Sequence, residues 1–162
     1  MAVPPLAEAR PTCTEAPFFV RGSSLAPFIH DGETVMGRLG ADCGDPARGE
    51  LVLFTHLGLK VPLLKIVLGI PGDRFGLAAD GGSWSLLING AVAANAEGMP
   101  YRLGPGNDYM LRLYLKGTHG TIPPNTWLVM GDNPAGTDDS SRFGLIMRAD
   151  VLGIAARPVA VQ

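Results

Sequence analysis

Chemistry can first be argued from Lys65. It is the single charge in the run Pro62-Leu63-Leu64-Lys65-Ile66-Val67-Leu68, and one of three lysines (with Lys60 and Lys116) against ten arginines. Taking an ammonium out of water without a partner is costly, and a buried lysine responds by lowering its pKa. Neutral near physiological pH, it can take a proton as a general base. The run also fits an edge-strand lysine whose stem lies on apolar surface while its head reaches water, and the run alone leaves both readings open. A serine hydroxyl is a poor nucleophile that needs such a base. Ser23 and Ser24 follow Gly22, where serine can equally be a plain turn residue. The loop from Gly131 to Gly144, with Asp132, Asn133, Thr137, Asp139 and Ser140, could brace a site or simply make its own turn bonds.

The elements that must position these groups read as strands. Phe18 to Ser24 begins extended and breaks at Gly22, Asp31-Gly32 signals a turn, and Glu33 to Leu39 reads as the next strand. Residues 51–70 hold two strand-like runs of leucine and β-branched residues, the second ended by Pro71-Gly72-Asp73. Trp84 to Ile88 runs into an Asn89-Gly90 turn, a hairpin signal. Tyr109 to Gly117 alternates and is expected to be a strand; Thr126 to Met130 is another, and residues 145–161 give a last strand pair or a helical turn plus strand. The expectation is a mostly-β fold: a compact antiparallel sheet or barrel-like core with few or no long helices. Residues 1–16 are expected to be a flexible arm, 17–162 a single catalytic domain, and 74–120 a smaller inserted β region.

Composition sets limits. With 162 residues the chain is long enough for one domain with a real core. Glycine (22) and proline (14) are plentiful, but 46% hydrophobic content points to short strands and many turns rather than disorder. A net charge of −2 without clustered Lys and Arg gives no nucleic-acid footprint. Cys13 and Cys43 could pair; they have no metal-ligand or CxxC spacing. No apolar segment is long enough for a signal peptide or membrane span, so the chain as given is expected to be soluble, with contact to a membrane surface left open.

Four separated stretches together resemble type I signal peptidases, the serine peptidases that use a Ser–Lys dyad. Val20-Arg21-Gly22-Ser23-Ser24-Leu25-Ala26-Pro27 is similar to the V-x-G-x-S-M-x-P nucleophile box, and Arg48 to Phe54 to the R-G-D-x-V-x-F strand. Lys65 to Asp73 is similar to K-R-V-x-G-x-P-G-D, and Met130-Gly131-Asp132-Asn133 through Asp139-Ser140 to Gly144 to M-G-D-N followed by D-S-R-x-x-G. The resemblance covers roughly Phe18 to Ala156 and selects Ser24 over Ser23 as nucleophile, with Lys65 as base. It implies that Thr137 orients the lysine, that Asp139 and Ser140 brace the site, and that Gly131, Asp132 and Asn133 shape the turn. An extended peptide would add to the edges Phe18 to Ser23 and Val61 to Lys65, above shallow pockets for small residues lined by Phe18, Val20, Leu25, Ile29, Leu63 and Leu64. The chain departs from the pattern at Leu25 (methionine in the family), at Gly22, where some relatives carry an oxyanion-hole serine, and at Ser141, where the family arginine stands one place later as Arg142. The family's N-terminal anchor is absent from the sequence as given.

The resemblance implies removal of signal peptides from exported preproteins on the outer face of the bacterial inner membrane, with no metal or cofactor. A pilin-maturation peptidase of conjugal transfer, acting on propilin, shares the boxes. A self-cleaving Ser–Lys repressor would need a DNA-binding arm, for which residues 1–16 offer nothing. An inactive peptide-binding module would have no need to keep both Ser24 and Lys65.

Overall fold

The computed structural model describes residues 12–57, 60–133 and 138–156. Its larger sheet has seven strands: β1 (Thr14–Phe19), β2 (Thr34–Leu39), β3 (Leu51–Phe54), β4 (Leu63–Gly69), β9 (Thr126–Met130), β10 (Ile146–Met147) and β11 (Val151–Ala155). Their spatial order is β1-β2-β11-β3-β4-β9-β10, every neighbour antiparallel. The second sheet lies between β4 and β9 in the chain. There β5 (Phe75–Asp80) pairs with β6 (Ser83–Ile88), and β6 also pairs with the short β7 (Ala91–Val92) and β8 (Arg102–Leu103). The protein is mostly antiparallel β.

Two expectations change. Residues 14–16, assigned to a flexible arm, already belong to β1 and pair with Leu39 to Gly37 of β2; Cys13 just before them is disulfide-bonded to Cys43. Residues 1–11 lie outside the described residues. The segment expected as a strand over Tyr109 to Gly117 is instead a helix, α1 (Tyr109–Thr118). A strand would put Tyr109, Leu111 and Leu113 on one face, yet Leu111 is fully buried while Tyr109 and Leu113 are 67% and 50% exposed. Leu111, Tyr114 and Leu115, at helical spacing, pack on one core. Arg112 ion-pairs with Asp108 one turn back and stacks over Trp84 of β6. The helix ends at His119 in the left-handed region, followed by Gly120.

Three apolar clusters hold the sheets. Phe18, Val20, Leu25, Ile29, Leu51 and Ile66 pack under the β1 end of the large sheet. Val52, Phe54, Val67, Trp127, Val129 and Ile146 form a second group. Phe75, Leu86, Leu111, Ile122, Leu128 and Met130 join α1 and the small sheet to β9. Each such fully buried side chain stabilises by about 1.5–3 kcal/mol. The Phe18 ring lies where β2 carries Gly37, whose Cβ would overlap the ring; no larger residue fits beneath it.

Candidate active site

Ser24 is carried on the loop that leaves β1. The Val20 amide donates to the Glu33 carbonyl and the Gly32 amide to the Val20 carbonyl, closing the loop at its base. Gly22, at φ +80°, donates its amide to the Asp31 carboxylate at 2.7 Å, a backbone shape that glycine adopts at little cost. The Ala26 amide then donates to the Ser23 carbonyl, forming the turn around Ser24. Leu25 and Ile29, each 2% exposed, anchor this turn in the core. The segment after β9 holds the turn from the other side. The Asp132 and Asn133 amides both donate to the Ser24 carbonyl (2.7 and 3.2 Å), and the Asn133 side-chain amide donates to the Ser23 carbonyl at 3.1 Å. The Ser24 amide makes no hydrogen bond within the described residues.

Lys65 lies in β4, opposite Val52 of β3, and is only 3% exposed. Burial pushes its ammonium below the ordinary lysine pKa, opposed more weakly by the negative charges of Asp139 and Asp138. Opposite β3, β4 meets β9 only from Ile66 onward. Leu63 to Lys65 therefore present an edge that no described strand occupies. β1 is the terminal strand of the sheet, and no described strand pairs with its outer edge. An apolar cleft of about 290 Å³ is lined by both edges, with Pro17, Phe19, Val61 and Leu63 on its walls and Ser24 and Lys65 together inside it.

The brace is built by α2 (Ser140–Phe143) and its N-cap. Asp139, 3% exposed, accepts from the Ser141 amide and hydroxyl through Oδ1 and from the Gly131 amide through Oδ2. The fully buried Ser140 accepts the Val129 amide on its hydroxyl, continuing the β9 ladder by a side chain. Arg142, displaced by one from the family position, ion-pairs with Asp138 and not with Asp139; Ser141 takes over the bond to Asp139. Gly144 ends α2 at φ +84°, and a Cβ there would overlap the Tyr114 ring. Thr137 lies outside the described residues.

Residues 9–160 match the family described as signal peptidase, peptidase S26. The chain belongs to this signal peptidase family. Over 150 residues it is 29% identical to signal peptidase IB of Staphylococcus aureus strain Mu50, covering 85% of this chain and 73% of the relative. It is 31% identical over 142 residues to signal peptidase I of Bacillus amyloliquefaciens, covering 85% and 69%. The crystal structure of a signal peptidase I from Enterococcus faecalis V583 aligns over 70% of this chain and 98% of that one, with 21% identity and a TM-score of 0.43. The family makes this chain a type I signal peptidase, a serine peptidase. No helix among the described residues is long and apolar enough to cross a membrane.

In this signal peptidase the residues expected to line a substrate cleft divide. Phe18, Val20, Leu25, Leu63 and Leu64 line the apolar cleft, whereas Ile29 is buried in the core behind Ser24 and does not line it. Sequence reasoning missed Asn95, which is 8% exposed. Its side chain accepts from the Glu97 and Met99 amides and donates to the Asp132 carbonyl at 3.1 Å, while the neighbouring Ala96 amide donates to the Asp132 carboxylate. The small sheet thus holds Asp132, which in turn holds Ser24. Asn95 sits in Ala93-Ala94-Asn95-Ala96-Glu97, where nothing in the sequence distinguishes it from a hairpin-loop asparagine. The second missed contact is the Arg48–Asp73 ion pair at 2.6 Å, whose members stand in separate motifs 25 residues apart.

Proposed function

We propose that this enzyme removes signal peptides from exported preproteins, with Ser24 as nucleophile and Lys65 as general base. The observation that carries the proposal is one apolar cleft lined by Ser24 and a lysine that is 3% exposed. The end of the signal peptide binds extended along the open edges of β1 and of Leu63 to Lys65 and adds a strand. Neutral Lys65 takes the Ser24 hydroxyl proton as Oγ attacks the carbonyl carbon of the scissile bond. The resulting oxyanion meets the Ser24 amide, which is open to it. Lys65 then returns its proton to the leaving amine, and the C–N bond breaks to leave an acyl ester on Ser24. A water deprotonated by Lys65 hydrolyses that ester and restores the enzyme. Shallow apolar walls at Phe18, Leu25 and Leu64 favour small side chains before the cut. Asp139 and Ser140 hold the backbone around the base, and Gly131, Asp132 and Asn133 fix the turn that clasps Ser24.

The test is cleavage of a preprotein peptide ending in Ala-x-Ala by the wild type, Ser24→Ala and Lys65→Ala. Each substitution should lower kcat at least about a thousandfold, as loss of either member of a nucleophile–base pair does. Turnover within tenfold of wild type in either variant refutes the assignment. Running exported preproteins beside propilins separates general signal-peptide removal from pilin maturation.

A further inference from the structure

We propose that a second cleft beside Ser24, of mixed polar and apolar lining, is the binding site for the leaving half of the substrate, the first few residues of the mature chain. This rests on Ser24 being the nucleophile. The cleft has a volume of about 730 Å³, and among the described residues it shares only Ser24 with the apolar cleft that holds Lys65. A polypeptide whose scissile bond lies at Ser24 must continue beyond it. With its acyl half against Lys65 and the two strand edges, the other cleft is where its continuation runs.

The two clefts also differ in lining, the second offering more hydrogen-bonding groups. The apolar one has the walls for small apolar residues of constrained type. The second carries Arg102, Asn107, Asp138 and Arg142 as hydrogen-bonding groups beside apolar Met99, Tyr101, Leu103 and Met130. Mature chains begin with many different sequences, and donors and acceptors for a peptide backbone hold any of them. Its charges are largely engaged already: Arg142 pairs with Asp138, Asp139 accepts from Gly131 and Ser141, and Arg102 pairs with Asp80 from outside the cleft. The site therefore favours no one charge. One wall comes from the small sheet and its loops, Asn95 to Asn107, and the other from Gly131, Asn133, Asp138, Asp139, Ser141 and Arg142 on the large-sheet side. The inserted sheet thereby acquires a role in the reaction.

Two peptides with the same Ala-x-Ala end test this, one extending a single residue past the cut and one extending five, both amidated. In the wild type the longer peptide should show a kcat/KM about tenfold higher. In Arg102→Ala/Asn107→Ala, which alters two exposed side chains on one wall, this ratio should fall to about twofold or less, whatever the absolute rates. Thermal unfolding confirms that the variant is folded. Equal kcat/KM for the two lengths in the wild type, or an undiminished ratio in the folded variant, overturns the proposal. Loss of cleavage of both peptides in Ser24→Ala alongside equal wild-type rates would leave the nucleophile standing and remove only this site. Retained cleavage in Ser24→Ala would instead remove the nucleophile on which the site depends.

Discussion

Replacing Asp73 by Asn should destabilise the enzyme at neutral pH, and the loss should shrink as pH falls towards 2. Arg48 grips the Asp73 carboxylate with both terminal nitrogens (2.6 and 2.9 Å) and also donates to the Leu68 carbonyl. The Ile70 amide and the Asn89 side chain donate to the same carboxylate at 2.9 and 3.0 Å. The clip thus joins the loop before β3, the end of β4 and the turn after β6. Burial raises the Asp73 pKa, but these hydrogen bonds and the Arg48 charge outweigh it and hold the carboxyl at about 2, from an ordinary 3.8. At 1.36 kcal/mol per pKa unit this is about 2.4 kcal/mol. Arg48 is 44% exposed at its side chain, so solvent screening reduces the expectation to about 1–2 kcal/mol.

The sign follows from proton linkage. The folded pKa is depressed, so the stabilisation is complete above pH 3.8 and is lost as pH falls through about 2. Urea unfolding of wild type and Asp73→Asn at pH 7, 4 and 2.5 should show a gap of about 1–2 kcal/mol that closes towards the lowest pH, with an unchanged m-value. Other carboxylates titrate in both proteins and cancel in the difference. A gap that stays constant from pH 7 to 2.5 would refute the ionic origin of the clip.

Lys65→Met should raise stability. Burial lowers the folded lysine pKa, so the folded state is penalised by the charge at low pH and the penalty fades as pH rises towards 10.5. Urea unfolding should show the largest gain at pH 6 and none above the ordinary lysine pKa; a variant no more stable than wild type at pH 6 argues against a desolvated ammonium. The activity of the wild type should rise through an ionisation clearly below the free-lysine value of about 10.4, and a limb at that value would refute base catalysis by a perturbed lysine. Asn95→Ala should lower kcat about tenfold, the worth of one buried hydrogen bond, with KM within twofold. Asn95→Asp keeps the acceptor for Glu97 and Met99 but loses the donor to Asp132; wild-type kcat in that variant would show that the bond to Asp132 does not position Ser24.

What could be read in the sequence was whatever depends on neighbours in the chain. β4 is visible because leucine and β-branched residues surround Lys65, and its end is visible in Pro71-Gly72-Asp73. The burial of Lys65 could be suspected from the same run, but it is decided by β3 on one side and the cleft on the other. The helix α1 was misread because Leu111, Leu113 and Leu115 alternate as a strand would. Only packing against Trp84 and the core shows that Leu113 faces water. Ile29 illustrates the same limit: its type and spacing suit a pocket wall, and tertiary packing puts it behind the pocket. Asn95 and the Arg48–Asp73 clip were illegible because each acts across the two sheets, and the partners are 37 and 25 residues away.

An acid close to a catalytic lysine would ordinarily defeat it, since a nearby carboxylate favours the charged ammonium. Asp139 and Asp138 do act in that direction on Lys65, yet burial outweighs them. The geometry of Asp139 fixes where its charge sits. Both of its oxygens accept hydrogen bonds, from Gly131 on one and from Ser141 twice on the other, so the carboxylate is fixed within its own loop. Asp138 is exposed and shared with Arg142, which leaves it screened by water and by a guanidinium. In this chain Arg142 pairs by charge with Asp138. Ser141 supplies hydrogen bonds to Asp139 without bringing a second cation beside Lys65. The loop then keeps its shape while the apolar surroundings of β4 remain the larger influence on Lys65.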